Sequence, residues 1–144
     1  MSTPAGTAVM DSRRSAACAC GAFTIAVAGE PVSVHACSCF ACQKRSGSAF
    51  SYTAFFADQQ LSVVSGEARR WRRSDASGNA VESAFCPLCG TTVLSWPRVL
   101  PGQVGIAVGC FADPSFAAPA RLYGTTQSHR WLQLPRGVAT VLTQ

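Results

Sequence analysis

Three tight clusters hold seven of the eight cysteines: Cys18-Ala19-Cys20-Gly21, Cys37-Ser38-Cys39-Phe40-Ala41-Cys42 and Cys86-Pro87-Leu88-Cys89-Gly90. Two or three sulfurs this close along the chain can converge on one ion without ordering a long loop, and zinc takes thiolates in such sets. Disulfides explain the pattern less well. Cysteines one residue apart in extended chain have Cβ directions unsuited to an S–S bridge. Residues 1–30 also carry no signal-peptide pattern, because the apolar stretch after Arg13 and Arg14 is broken by Cys18, Cys20 and Gly21. The sequence therefore predicts a cytoplasmic zinc protein.

Cys86-Pro87-Leu88-Cys89-Gly90 has the form of half a zinc knuckle, in which Gly90 supplies the backbone freedom needed just past the second ligand. Cys18 and Cys20 are the natural second half, giving four thiolates and a closed, structural set. The middle cluster offers three ligands. Cys37, Cys39 and Cys42 can close on one face of a second zinc and leave its fourth position open, the feature that separates catalytic from structural sites. Three alternatives stay open for the trio: a fourth ligand from Cys110, His35 or His129, a redox role, or low occupancy. His35 precedes Cys37 by two residues and so shares its strand face, where a bystander or supporting role is the ordinary reading for a histidine. Cys110, alone in Val108-Gly109-Cys110-Phe111, reads as a small apolar residue.

The 144 residues suit one domain, 16–144, behind a flexible tail over residues 1–15 rich in Ser, Thr, Pro, Gly and Ala. No apolar run is long enough to cross a membrane as a helix. The formal charge of +5 suggests nucleic acid until metal is counted. Four thiolates on one zinc and three on another bring it to about +2. Arg69, Arg70, Arg72 and Arg73 flank Trp71, but alternation along a strand splits them between two faces, which argues against a nucleic-acid stripe. Lys44 and Arg45, just after the trio, would attract an anion. A small acidic thiol meets both requirements, sulfur toward the open zinc and carboxylates toward the cations.

Secondary structure reads as short strands. Phe23, Ile25 and Val27 alternate with small residues, as do Val32, Val34 and Ala36. Further strands are expected over 50–56, 61–64, 69–73, 80–85, 91–96 and 103–108, with a last extended segment within 132–142. Ser77-Gly78-Asn79 reads as a turn. The single helix expected is short and lies just after Cys42, through Ser46. The fold class is mainly β, built from meanders of antiparallel strands.

The order Cys-x-Cys-Gly, then Cys-x-Cys-x-x-Cys followed by Gln43-Lys44-Arg45-Ser46-Gly47-Ser48-Ala49-Phe50, then Phe85-Cys86-Pro87-Leu88-Cys89-Gly90, resembles the glutathione-dependent formaldehyde-activating enzyme family, also called the GFA or CENP-V domain family. The similarity spans about residues 15–138. It implies a compact, Mss4-like fold of short antiparallel strands stapled by zinc. It also implies a structural zinc on Cys18, Cys20, Cys86 and Cys89, and a catalytic zinc on Cys37, Cys39 and Cys42. The implied activity is that of a carbon–sulfur lyase, the reversible condensation of glutathione with formaldehyde to S-hydroxymethylglutathione, with a cation or backbone donor stabilising the oxyanion. This chain departs from the pattern at Ser38 and at Arg121, where family members often have histidine. Both departures leave the ligands intact. The competing class is a non-catalytic zinc-binding module for protein interaction.

Overall fold

The structure is a computed structural model and describes residues 12–74 and 79–143. In chain order the elements are β1 (Arg13–Ala17), β2 (Thr24–Ala28), β3 (Ser33–Cys37), α1 (Phe40–Ser46), β4 (Ser51–Ala57), β5 (Leu61–Ser65), β6 (Arg69–Ser74), β7 (Ala80–Phe85), β8 (Thr92–Pro97), β9 (Gln103–Ala107), β10 (Arg121–Tyr123) and β11 (Ala139–Thr140). Strands β1, β2 and β5 form a small antiparallel sheet. The other eight form a second sheet in the order β11-β10-β3-β4-β9-β8-β7-β6.

The hydrophobic core lies between the two sheets. Ile25 and Val27 of β2 meet Val34 of β3, Ala54 and Phe56 of β4, and Val104 and Ile106 of β9. Because side chains alternate along a strand, burying Val34, Ala54 and Phe56 turns His35, Cys37, Ser51, Thr53 and Phe55 to the opposite face of the large sheet. That face carries the site. Gly105 leaves room for the side chains of Thr53, Phe55 and Ser95 on that face. A Cβ there would stand 2.7 Å from Thr53 Cγ2, 2.8 Å from Ser95 Oγ and 2.9 Å from Phe55 Cε1.

The mainly β reading holds, with differences of detail. The large sheet is mixed, since β10 runs parallel to β3 and β11 parallel to β10. Strand β10 has only three residues, and alternation is not legible over so short a run. The extended segment within 132–142 contributes only the two residues of β11. Residues 1–11 of the expected tail, and Ser77 and Gly78 of the expected turn, lie outside the described residues. Arg13–Ala17, which overlap the end of that tail, pair along their whole length with Thr24–Ala28. Helix α1 starts earlier than expected, at Phe40. Cys39 is its N-cap, its sulfur accepting from the Cys42 amide at 3.4 Å, and Gly47 closes it in the left-handed conformation at φ 65°.

Candidate metal centres and the adjoining cavity

Two hairpin turns, one from each sheet, bring the four-cysteine group together. Cys18 and Cys20 sit in the β1–β2 turn, closed by bonds from the Gly21 amide to the Cys18 carbonyl and from the Cys18 amide to the Phe23 carbonyl, both 3.0 Å. Cys86 and Cys89 sit in the β7–β8 turn, where Cys86 N donates to Thr91 O at 3.0 Å and Gly90 N to Cys86 O at 2.8 Å. The Ala19 amide reaches across to Thr91 Oγ1 at 3.1 Å and ties the turns to each other. Gly21 and Gly90 both have positive φ, 79° and 77°, as turns of this tightness require. The four sulfurs lie within 4.8 Å of one another, with Cys18 to Cys20 at 3.6 Å and Cys20 to Cys86 at 3.8 Å. The Phe23 amide donates to Cys18 Sγ at 3.2 Å and holds that thiol below its ordinary pKa. The Thr91 hydroxyl leads the contacts that bring Cys89 down to about 5.

Cys37, Cys39 and Cys42 form the second group, their sulfurs again within 4.8 Å of one another. Cys37 ends β3, Cys39 caps α1 and Cys42 lies one turn into the helix, so the strand-to-helix corner makes the group almost alone. A hydrogen bond from the Cys37 thiol leads in holding Cys42 down to about 5, against burial and with help from Arg45, Cys39 and Ser51. The same bond, with burial, pushes Cys37 well up. The corner is clamped from outside. Ser38 N donates to Tyr123 O at 2.8 Å, Gln43 Nε2 donates to Ser38 O at 2.6 Å and to Gln127 O at 2.9 Å, and Phe40 N donates to Gln127 Oε1 at 2.8 Å.

The three histidine and cysteine candidates for a fourth ligand join neither group. His129 Nε2 lies 3.1 Å from Gln43 Oε1 and its ring packs on Trp131. Cys110 is half-buried at the edge of the core, its thiol pushed up to about 11 by burial and then by Cys18 and Cys89. That placement fits its reading as an apolar residue and puts it beside the four-cysteine group, not the trio. His35 lines the same cavity as Cys37, between the rings of Phe55 and Tyr123 at centroid distances of 5.6 Å and 5.3 Å. Burial lowers its pKa, and Arg121, opposite it in register on β10, lowers it further. Ser38 is fully buried.

A cavity of about 210 Å³ is lined by Cys37 and Cys42 of the trio, while Cys39 is not among its lining residues. Cys37, Cys42 and Arg45 stand at one side, and Val81, Pro97, Val99 and Leu100 make an apolar wall. Of the two cations expected to face the site, only Arg45 does. Lys44 is exposed and is not among the lining residues, because adjacent helix positions point about 100° apart. The second cation comes instead from the far edge of the sheet. Arg73, in register with Val81, turns inward while Arg69, Arg70 and Arg72 stay exposed. Arg70 is engaged elsewhere, 3.0 Å from Glu82 and with its guanidinium 4.3 Å above the Trp96 ring. The alternation rule correctly put Arg73 and Arg70 on opposite faces; nothing local said that one of those faces looks into a cavity.

Fold and site together define a mainly β protein with a closed four-cysteine group that could hold a metal ion and an incomplete three-cysteine group beside a cavity. The model of the glutathione-dependent formaldehyde-activating enzyme family matches residues 13–127, and the chain belongs to that family. A Rhodobacter sphaeroides protein of known crystal structure shares the fold, with a TM-score of 0.55 and 23% identity over 72% of this chain and 90% of that one. No functionally curated protein matches the chain in sequence. Among the described residues no helix is long and apolar enough to cross a membrane.

Proposed function

We propose that the chain is a zinc-dependent carbon–sulfur lyase acting on the adduct of glutathione, or a related small thiol, with formaldehyde or another aldehyde. The observation that carries the proposal is an incomplete cysteine trio, two of whose members, Cys37 and Cys42, line a cavity that Arg45 also lines.

The donor set suits the metal. Four thiolates around tetrahedral zinc at Zn–S distances of about 2.3 Å stand about 3.8 Å apart. The separations of 3.6 Å and 3.8 Å in the four-cysteine group match that figure. Cys18, Cys20, Cys86 and Cys89 would hold the structural ion, and Cys37, Cys39 and Cys42 the second. Zinc at the trio would favour the thiolate form of a sulfur ligand and polarise an oxygen.

The chain's own groups supply the rest. In the lyase direction the adduct's hydroxyl loses its proton, its O–H electron pair becomes part of the new C=O bond, and the C–S pair leaves on sulfur. His35, the imidazole lining the cavity, takes the proton. Arg45 attracts the anionic end of the substrate into the cavity, and the Ser51 and Thr53 hydroxyls orient the oxygen. The reading treats residues 16–144 as one domain and places the protein in the cytoplasm, where thiols stay reduced.

The test is consumption of formaldehyde by zinc-loaded protein with glutathione, measured above the spontaneous rate. His35→Asn should lower kcat by about 100-fold or more, the usual contribution of a positioned proton acceptor, with little change in KM. If no thiol binds and none accelerates consumption, the chain is a non-catalytic zinc module instead.

A further inference from the structure

We infer that Arg45 and Arg73 form a carboxylate clamp inside the cavity, so the thiol it takes carries a carboxylate a few bonds from its sulfur. The inference deepens the lyase reading by naming the part of the substrate that the cavity selects. Three observations carry it. Two guanidinium groups line the cavity, and among the described residues no acidic side chain lines it. Two cations on a cavity without a described anion favour an anionic ligand, and a planar carboxylate fits the guanidinium fork. The two residues are also far apart in the chain, one on α1 beside Cys42 and the other on edge strand β6, yet they line one cavity.

The third observation is size and lining. About 210 Å³ falls below the range of roughly 300–1,000 Å³ common for sites that enclose a drug-sized ligand. Phe55, Val81, Pro97 and Leu100 give the cavity apolar walls. Such walls suit a short carbon chain and strengthen any charge pairing between them. A space of that size matches one arm of the tripeptide glutathione, and it matches a small mercapto acid. Both present the same chemistry: a sulfur for the trio and a carboxylate for the two arginines.

Calorimetry on the zinc-loaded full chain at low salt separates the possibilities, with 3-mercaptopropionate, 2-mercaptoethanol, propionate, glutathione and the glycyl ethyl ester of glutathione as probes. Mercaptopropionate should bind about 10- to 100-fold more tightly than mercaptoethanol, the value of a charged hydrogen bond expressed as affinity. Arg73→Gln and Arg45→Gln should each erase most of that preference, and Arg73→Lys should restore part of it. Exposed Arg69→Gln should leave it unchanged. Circular dichroism on each variant checks the fold. Glutathione outbinding its ester points to the glycyl arm, and exclusion of both points to a small mercapto acid; either supports the clamp. Equal binding of the charged and neutral thiols overturns the clamp and leaves the lyase reading standing. Propionate binding that depends on Arg73, without any thiol-dependent consumption of formaldehyde, supports the clamp and overturns the lyase. Binding of no probe overturns both.

Discussion

Cys86→Ser should destabilise the protein by about 4 kcal/mol or more, the range reached when a structural metal is lost, whereas Cys42→Ser should cost about 1 kcal/mol. For a chain of this length the first corresponds to a fall in Tm of about 10 °C or more. The difference follows from connectivity. Cys86 is fully buried, and its group joins the β1–β2 turn of the small sheet to the β7–β8 turn of the large one, so a metal there crosslinks segments more than sixty residues apart. The trio spans six residues of a strand-to-helix corner that is already held by backbone bonds to Tyr123 and by Gln43 and Gln127. Closing so short a loop removes little chain entropy. Thermal melts with metal analysis measure both variants, and equal destabilisation would sink the division into a structural and an open site. The same logic makes mild chelation remove one metal while the far-UV spectrum persists.

Gly124→Ala should weaken metal binding at the trio by about 10- to 100-fold, the loss typical when a group that orients ligands is disturbed, and leave the four-cysteine group untouched. Gly124 has φ 68°, where any other residue is strained, and an added Cβ would stand 2.7 Å from the Cys39 amide nitrogen and 3.1 Å from Cys39 Cβ. Cys39 has little room to retreat, since its neighbours Ser38 and Phe40 are bonded to Tyr123 and Gln127. The contact therefore moves a ligand. Competition with a chelator, read as two separate release steps, checks it. A variant whose weaker step is unchanged would show that Gly124 does not set the position of Cys39.

The ligand groups were legible in the chain because they are local. Cys-x-Cys-Gly and Cys-x-x-Cys-Gly each build a turn from residues that are neighbours in sequence, and the trio sits on one strand-to-helix corner, so spacing alone groups the sulfurs. Alternation likewise revealed β2 and β3, and short runs bounded by turn residues revealed β4 to β9. Alternation also placed His35 on the face of Cys37. The pairing of Cys18 and Cys20 with Cys86 and Cys89 needed only the count of four ligands per closed site.

The rest belongs to tertiary structure. Strands β10 and β11 owe their existence to a parallel ladder begun by β3, with β10 docked on it and β11 on β10, and a three-residue or two-residue run has no period to read. Lys44 and Arg45 look equivalent as adjacent cations, yet a turn of helix sends one to solvent and the other to the cavity. Arg73 looked like part of a basic run. The order of strands in the large sheet, set by long-range pairing of β3 with β4, β4 with β9, β9 with β8, β8 with β7 and β7 with β6, carries it to the cavity that also holds Cys37 and Cys42. Sequence determined which atoms can bind a metal, since those lie within a few residues of one another. Only the fold decided which charges the metal's open side would face, because they come from strands whose neighbours are chosen by packing of the whole sheet.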